Sequence, residues 1–426
     1  MKRKLLIAGL SAFMALNINA QTVIDTVSVG AGYANQKWYS LQNDEQGTAQ
    51  AKDNWDIGFE ILGYTASIIG NTQKANFVIY KAPYAIAQYG SIDTTGISSW
   101  PVLHNSDTTW AVGAFSRGAN PANQFDLGWG VYDMNTHIIS GDSCYVVKLS
   151  ASIYKKLKMI DLNGGVYSFE YSNIDGSSSQ SQSVAKSSYT GKNFAYFNMT
   201  TNTAVDREPV SANWDLTFVK YISFVPSGPG TVTPYGVTGV LSNKGVKVAQ
   251  ANDVPSPATY SDFSTQTFKT AMNEIGYDWK EVNMTTFGWD IKGDTVYFVN
   301  DKPGNIWKLR FTKFSGSSTG NFIFTKEKLS ATGIADINGN ILANVVVYPN
   351  PSNGSGTTLL FSAETALTNV SISIMDVTGK IVSTETISVA TGINQYQLNT
   401  AELNNGIYFI KLTTSGYSTV QKLIKN

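Results

Sequence analysis

Two histidines, His104 and His137, are the residues of this chain whose side chains are best suited to bind a transition metal. They are the only histidines among 426 residues, and they lie 33 positions apart. Neutral imidazole is a good ligand for iron and related metals. Aromatic residues lie close to them along the chain, namely Trp100, Trp110, Trp129 and Tyr132. From residue types alone, the pair is either a metal site with an apolar wall or two unrelated histidines of the surface or core.

Catalytic motifs do not account for these histidines. The sequence has no HExxH motif, no paired-cysteine zinc site and no phosphate-binding G-x-x-x-x-G-K loop. Its one cysteine, Cys144, excludes an internal disulfide, and a small buried apolar residue is the simplest interpretation of it. Asp56 recurs as Asp215 in a repeated motif, which favours a structural hydrogen bond over carboxylate catalysis. We therefore predict that the chain is not an enzyme.

The composition favours an all-β protein and gives no indication of binding to nucleic acid or to a membrane. Lys plus Arg equal Asp plus Glu, 31 against 31, so there is no electrostatic case for nucleic acid or an anionic membrane as the partner. Charged residues make up only 15%, whereas tyrosine, phenylalanine and glycine are abundant. Short runs rich in β-branched and aromatic residues alternate with turn residues along most of the chain, a pattern typical of strands.

The histidines lie in the first of two related stretches. NWDIGFE at 54–60 returns as NWDLTFV at 213–219, each preceded by an aromatic pair, Trp38-Tyr39 or Tyr196-Phe197. Downstream, Gly141-Asp142-Ser143 matches Gly293-Asp294-Thr295 at an offset of 152. We predict two tandem, related antiparallel β domains at 22–175 and 188–330, joined by a serine-rich linker at 176–187. At the same offset His137 corresponds to Trp289, and His104 aligns with Tyr260, so the second copy has no histidine pair.

Both ends of the chain carry features of export. Residues 1–20 combine a basic start, Lys2-Arg3-Lys4, with a short apolar run that ends at Ala20, which is typical of a signal peptide. No other apolar run approaches membrane-spanning length, so we expect no membrane span. Residues 331–344 are predicted as a second linker, with an alternative but less favoured interpretation as the start of a calcium loop. Val370, Ile372 and Ile374 alternate with serines, and residues 345–426 are predicted to form a small C-terminal Ig-like β-sandwich.

The C-terminal segment resembles the type A sorting domain of type IX secretion substrates. The resemblance rests on three motifs in order, VVVYPNPSNG, VSISIMDVTGKIV and LNNGIYFIKLTTSGYSTVQKLIKN. It implies passage across the outer membrane, contact with secretion and receptor machinery there, and a mature protein that is secreted or attached to the outer cell surface.

The repeated stretches resemble the HmuY-like family of secreted haem carriers. The residues that carry this are NWDIGFE, SIYKKLKMI and GGVYSFEY in the first copy, and NWDLTFV, NIWKLRF and GNFIFT in the second. The family holds haem iron between two histidines or, in relatives, by methionines. The resemblance therefore implies haem as cofactor, His104 and His137 as iron ligands, Met134 as a lesser candidate, and haem or a haem protein as partner in iron acquisition. The alternative is a surface adhesin or glycan-binding protein that keeps the fold without the iron.

Overall fold

The structure is a computed structural model that describes residues 22–330, 342–352, 356–363, 366–414 and 417–426. The predicted signal peptide and residues 331–341 of the second predicted linker lie outside the described residues. The described chain forms two compact units, one that ends at Leu329 and one that begins at Ser330. Both consist of antiparallel strands, which confirms the all-β fold class.

The described strands of the first unit form four larger sheets and one separate hairpin. In chain order they are β1 (Val23–Ser28), β2 (Asn35–Ser40), β3 (Asp44–Ala51), β4 (Ile57–Glu60), β5 (Ile68–Gly70), β6 (Val78–Ala85), β7 (Val102–Leu103), β8 (Gly130–Tyr132), β9 (Ile139–Gly141), β10 (Ser143–Lys148), β11 (Tyr154–Asn163), β12 (Val166–Asn173), β13 (Gln180–Ala185), β14 (Phe194–Asn198), β15 (Thr203–Val205), β16 (Leu216–Gly228), β17 (Thr231–Ser242), β18 (Lys247–Ala251), β19 (Lys280–Val282), β20 (Trp289–Ile291), β21 (Val296–Asn300), β22 (Ile306–Phe314) and β23 (Asn321–Ser330).

Short helical turns connect these strands. The 3₁₀ turns span Ala31–Tyr33, Ile86–Ser91, Ile97–Ser99, Ala114–Ser116, Lys186–Tyr189 and Ser211–Asn213, and a one-turn α-helix spans Gly316–Thr319.

The first unit contains two lobes, each with its own core between two sheets. Lobe A consists of β4 to β15, and Phe59, Phe169 and Phe197 meet in its core. Lobe B consists of β1 to β3 together with β16 to β23, and Tyr39 and Phe324 meet in its core. Both cores contain many aromatic residues, as expected for sheets that bury large side chains face to face.

The two copies exchange their leading strands. The first strands of the chain, β1 and β2, pair with β23 and β16 in lobe B. The corresponding strands of the second copy, β13 and β14, pair with β12 and β4 in lobe A. The aromatic pair Trp38-Tyr39 thus lies beside Leu216 and Thr217, whereas Tyr196 and Phe197 lie beside Gly58 and Ile57. Each lobe is completed by strands from the other half of the repeat.

The prediction that residues 176–187 form an exposed linker is therefore wrong. Residues Gln180–Ala185 form β13, which is hydrogen-bonded to β12 along its length. Val184, in this strand, is buried in the core of lobe A. Ser181 and Ser183 are exposed on one face, whereas Gln180 and Gln182 are half-buried on the same face as Val184. A strand with only one partly buried face can therefore have the composition of a linker.

The repeated aspartates hold the exchanged strands. Asp56 Oδ2 accepts the N–H of Met199 at 2.7 Å, and Asp215 Oδ2 accepts the N–H of Leu41 at 2.8 Å. Both carboxylates are buried, and Trp55 and Trp214 beside them are also largely buried. The sequence-based prediction of a structural role for this aspartate is confirmed at both positions.

Cys144 is a fully buried free thiol of lobe A. It packs beside Ala82 and Val146 in a small satellite core, and Val296 occupies the corresponding place in lobe B. Burial raises the pKa of the thiol to about 11, so Cys144 is a small apolar residue of the core, as the sequence predicts.

The seam, the contact zone between lobes A and B, contains a buried arginine. Arg207 follows β15, and its guanidinium lies over the rings of Trp38, Trp55 and Tyr196, 5.2–5.6 Å from their centroids. It donates hydrogen bonds to Gln36 Oε1 at 2.8 Å and to the carbonyl of residue 51 at 3.1 Å. The guanidinium thus links strands of both lobes through cation–π contacts and hydrogen bonds.

The neighbouring carboxyl makes the stability of the first unit depend on pH. Glu208 is buried in the seam, where it accepts hydrogen bonds from Asn193 N and Tyr196 Oη. Burial raises its pKa from 4.5 to about 7. The folded unit keeps a proton there that the unfolded chain releases, so the free energy of unfolding falls as the pH rises from 4.5 to 7.

We expect Glu208→Gln to remove this part of the pH dependence, about 2–3 kcal/mol between pH 4.5 and 7.5. Urea titrations at several pH values, followed by tryptophan fluorescence, measure it. All nine tryptophans precede residue 330, so they report on the first unit. Burial also raises the pKa of Asp215 to about 6. Its contribution to the pH dependence of unfolding is the same in the unsubstituted chain and in Glu208→Gln, so it cancels when the two are compared. Asp206→Asn, at an exposed neighbouring carboxylate, is the control; an equal effect there would contradict the assignment.

The second unit is a small β-sandwich. Its strands are β24 (Leu342–Tyr348), β25 (Gly356–Ala363), β26 (Leu367–Asp376), β27 (Ile381–Val389), β28 (Gly392–Asn399), β29 (Gly406–Thr414) and β30 (Tyr417–Lys425). They form one sheet in the order β24-β25-β28 and another in the order β27-β26-β29-β30. Val370, Ile372 and Ile374 are buried between the sheets, as their alternation predicts. The first strand begins at Leu342, inside the predicted linker.

Candidate functional site

A β-hairpin of lobe A positions His137. Strands β8 and β9 pair from Gly130 to Gly141, and a turn joins them. Asp133 Oδ1 accepts the N–H groups of Asn135 at 2.7 Å and Thr136 at 3.1 Å, and these bonds hold the pKa of Asp133 below its ordinary value. His137 adopts a left-handed conformation with φ 58°, a region that histidine enters more readily than branched residues. The turn presents the imidazole at the surface.

His137 lines a cavity of about 480 Å³ in lobe A. Its walls come from several separate loops and include Tyr64, Phe125, Leu127 and Leu162. Lys186 reaches the same cavity, and burial lowers the pKa of its ammonium below 10.5. The volume falls in the range of small-molecule and cofactor sites, roughly 300–1,000 Å³. The cavity offers aromatic and aliphatic surface, one imidazole and one cationic group.

Tyr132 orients the imidazole of His137. The Tyr132 hydroxyl lies 2.6 Å from His137 Nδ1. When Nδ1 carries the proton and donates to this hydroxyl, the lone pair of Nε2 is available to a ligand. A hydrogen bond of this kind to the second ring nitrogen is the usual way in which proteins fix a metal-binding histidine.

His104 occupies different surroundings. It follows β7, and its ring packs edge-on against Phe224 of lobe B, with 6.2 Å between centroids. Arg117 donates to the His104 carbonyl at 3.1 Å and also lies over the Phe224 ring. Burial, and secondarily the charge of Arg117, lowers the pKa of His104. Its Nδ1 is buried without a hydrogen-bond partner among the described residues.

The two imidazoles share no ring contact, hydrogen bond or cavity within the described residues. Met134 lies in the same turn as His137 and is exposed, but it does not line the cavity. Of the four aromatic residues that the sequence analysis places near the histidines, Trp100, Trp110, Trp129 and Tyr132, only Tyr132 lines it. Trp129 is fully buried and donates to the Ala66 carbonyl, whereas Trp110 lies in the seam and donates to the Ser242 carbonyl. The assignment of His104, His137 and Met134 as ligands stays a prediction.

Lobe B repeats the hairpin without the histidine. Strands β19 and β20 pair, and Asn283 Oδ1 accepts the N–H groups of Thr285 and Thr286 as Asp133 does in lobe A. Phe287, with φ 54°, takes the position of His137. The alignment of His137 with Trp289 is therefore wrong by two residues, because lobe B has two extra residues between this hairpin and the next strand.

The counterpart of His104 also differs from the sequence alignment. Leu103 is the partner of Ile79 in lobe A, and Lys269 is the partner of Val248 at the corresponding position of lobe B. His104 thus corresponds to Thr270 rather than to Tyr260. Tyr260 instead packs against Phe298, with 5.9 Å between ring centroids. Lobe B has no imidazole at either position.

Two further features concern the described residues as a whole. No group of three or more His, Cys, Asp or Glu side chains could hold a metal ion there. No helix in the same residues is long and apolar enough to cross a membrane.

The C-terminal unit matches a known protein family. Residues 346–426 match the family described as secretion system C-terminal sorting domain. This match indicates a secreted or outer-surface protein, and the β-sandwich of the second unit agrees with it.

Part of the first unit matches a second family. Residues 190–325 match the family described as HmuY protein, a family associated with haem binding. The matched segment starts beside β14, in lobe A, and ends in β23, in lobe B, so it includes strands from both lobes. No curated protein shows significant similarity to the chain.

Proposed function

We propose that this protein binds haem at the cell exterior, after export by the type IX system, and that the His137 cavity of lobe A is the haem site. The observation that carries this proposal is the imidazole of His137, held by Tyr132 in the wall of a 480 Å³ cavity. The family associated with haem matches the second copy, and we extend it to the first because the strand pairings of lobe A repeat those of lobe B.

The residues around the cavity suit haem. His137 Nε2, as a neutral imidazole nitrogen, would bind the haem iron. Tyr64, Phe125, Leu127 and Leu162 would contact the apolar faces of the macrocycle. Lys186 would pair with a haem carboxylate, which offsets the cost of a partly buried ammonium.

Lobe A supplies one histidine to this cavity rather than two. The His104 ring packs against Phe224, and its carbonyl accepts a hydrogen bond from Arg117, outside the cavity lining. We therefore propose His137 as the principal ligand. His104 would join it only if the contacts with Phe224 opened. Lobe B, with Phe287 and Thr270 at the two positions, has no ligand of this type.

We expect His137→Ala to abolish the histidine-ligated absorption spectrum of the haem complex and to weaken binding by about 100-fold. Tyr132→Phe should weaken it by roughly tenfold, because it removes the bond that orients the ring. Titration of the mature chain with haem, followed by visible absorption, measures both effects.

His104→Ala and Met134→Ala are the matched controls and should leave the haem spectrum unchanged. Equal spectral changes in His104→Ala and His137→Ala would instead establish the histidine pair. Unchanged haem spectra in both histidine variants would refute the proposal and favour a surface adhesin or glycan-binding protein.

A further inference from the structure

The seam encloses a second, smaller cavity of about 90 Å³. Lobe A contributes Trp55, Trp110 and Tyr196 to its lining, and lobe B contributes Tyr221, Leu241 and Met272. It lies apart from the His137 cavity, since the two share no lining residue. Four aromatic rings from two lobes surround this space.

Most polar side chains around this cavity already have hydrogen-bond partners. Gln36 bonds to Thr217 and Arg207, Asn71 donates to the Trp55 carbonyl, Asn105 accepts from Gly70 N, and Tyr196 donates to Glu208. Two polar atoms are exceptions. Gln73 Nε2 and Tyr221 Oη are buried and have no hydrogen-bond partner among the described residues. Buried polar groups without partners are rare, so these two atoms are the ones free to bond to a molecule in the cavity.

The chemistry of the lining restricts the ligand. No Asp, Glu, Lys or Arg is among the described residues that line the cavity, so a neutral molecule is favoured. About 10–15 Å³ holds one water-sized group, so the space takes roughly six to nine such groups. Two free polar atoms cannot pair with the many hydroxyls of a sugar, whereas they suit a ring with one polar substituent.

We propose that the seam cavity binds a small, neutral, phenol-like aromatic molecule. The ring contacts the faces and edges of Trp55, Trp110 and Tyr196. The oxygen of the ligand accepts a hydrogen bond from Gln73 Nε2, and Tyr221 Oη exchanges a second bond with it. Because the cavity is built from both lobes, the ligand stabilises their contact.

Titration of the full-length chain with phenol in a calorimeter tests this site. We expect saturable binding with one site per chain, weaker binding of benzene and none of glucose. Tyr221→Phe should weaken phenol binding about tenfold, because it removes one of the two free polar partners. His137→Ala should leave phenol binding unchanged, which separates this site from the proposed haem site.

Tyr297→Phe is the matched control for Tyr221→Phe. Tyr297 also carries a buried hydroxyl without a partner, but it lies in the core of lobe B outside the cavity lining. Tryptophan fluorescence, to which the buried Trp279 and Trp307 of lobe B contribute, confirms that each variant is folded. Absence of saturable phenol binding, or equal effects of the two tyrosine variants, would overturn the proposal and leave a cavity filled by water only.

Discussion

Deletion of residues 22–51 will unfold lobe B and leave lobe A folded. The deleted segment supplies β1, β2 and β3, which pair with β23 and β16 of lobe B and bury Val27 and Tyr39 in its core. Lobe A loses no strand, because its own exchanged strands, β13 to β15, stay in the chain. Two domains without exchange would give the opposite result, since residues 22–51 would then belong to the first.

Thiol reactivity distinguishes these outcomes. Cys144 is fully buried in lobe A and is the single cysteine of the chain. Val296, its counterpart in lobe B, is equally buried, so Cys144→Ala combined with Val296→Cys moves the reporter to lobe B. In the deleted chain we expect Cys144 to stay protected by about 100-fold or more, whereas the introduced thiol reacts at the rate of an unfolded chain. A reactive Cys144 with a protected lobe B thiol would contradict strand exchange.

Arg207→Ala should reduce the free energy of unfolding of the first unit by about 3–5 kcal/mol. The substitution removes a side chain packed on three aromatic rings, of which Trp38 belongs to lobe B and Trp55 and Tyr196 to lobe A. It also leaves Gln36 Oε1 in the seam without the hydrogen bond from the guanidinium. Burial of unsatisfied acceptors adds to the loss of packing. Urea titration followed by tryptophan fluorescence measures the change.

Arg117→Ala is the matched control for this substitution. Arg117 contacts a single ring, Phe224, and donates one hydrogen bond to the His104 carbonyl. We expect it to cost about 1 kcal/mol. Similar losses for the two arginines would show that Arg207 does not hold the seam.

The candidate site was only partly predictable. Residue type made His137 a candidate, because imidazole is a common metal ligand. The turn around it follows from Asp133 and its local hydrogen bonds. The walls of the cavity were not predictable, since Tyr64, Phe125 and Lys186 are far apart in sequence and no local pattern connects them. The isolation of His104 depends on Phe224, a residue of the other lobe, which spacing along the chain does not reveal.

Local sequence was sufficient for the class of fold. Alternation of apolar and polar residues determines strands, and the repeated Asn-Trp-Asp motif marks equivalent positions, where Asp56 and Asp215 make the same bonds. The motifs of the C-terminal unit likewise predicted a sandwich, and residues 346–426 match the sorting family.

Only the tertiary structure decided which copy each strand completes. The two lobes share their motifs, so the sheet edge available to a leading strand is similar in both. The sequence of that strand therefore fits either lobe. The choice depends on contacts between distant segments, such as Arg207 with Gln36 and Trp38. The serine-rich segment 176–187 has the polarity of a linker, but one buried face on β12 is enough to make it a strand. Composition measures the average polarity of a segment, whereas pairing depends on what lies beside it in space.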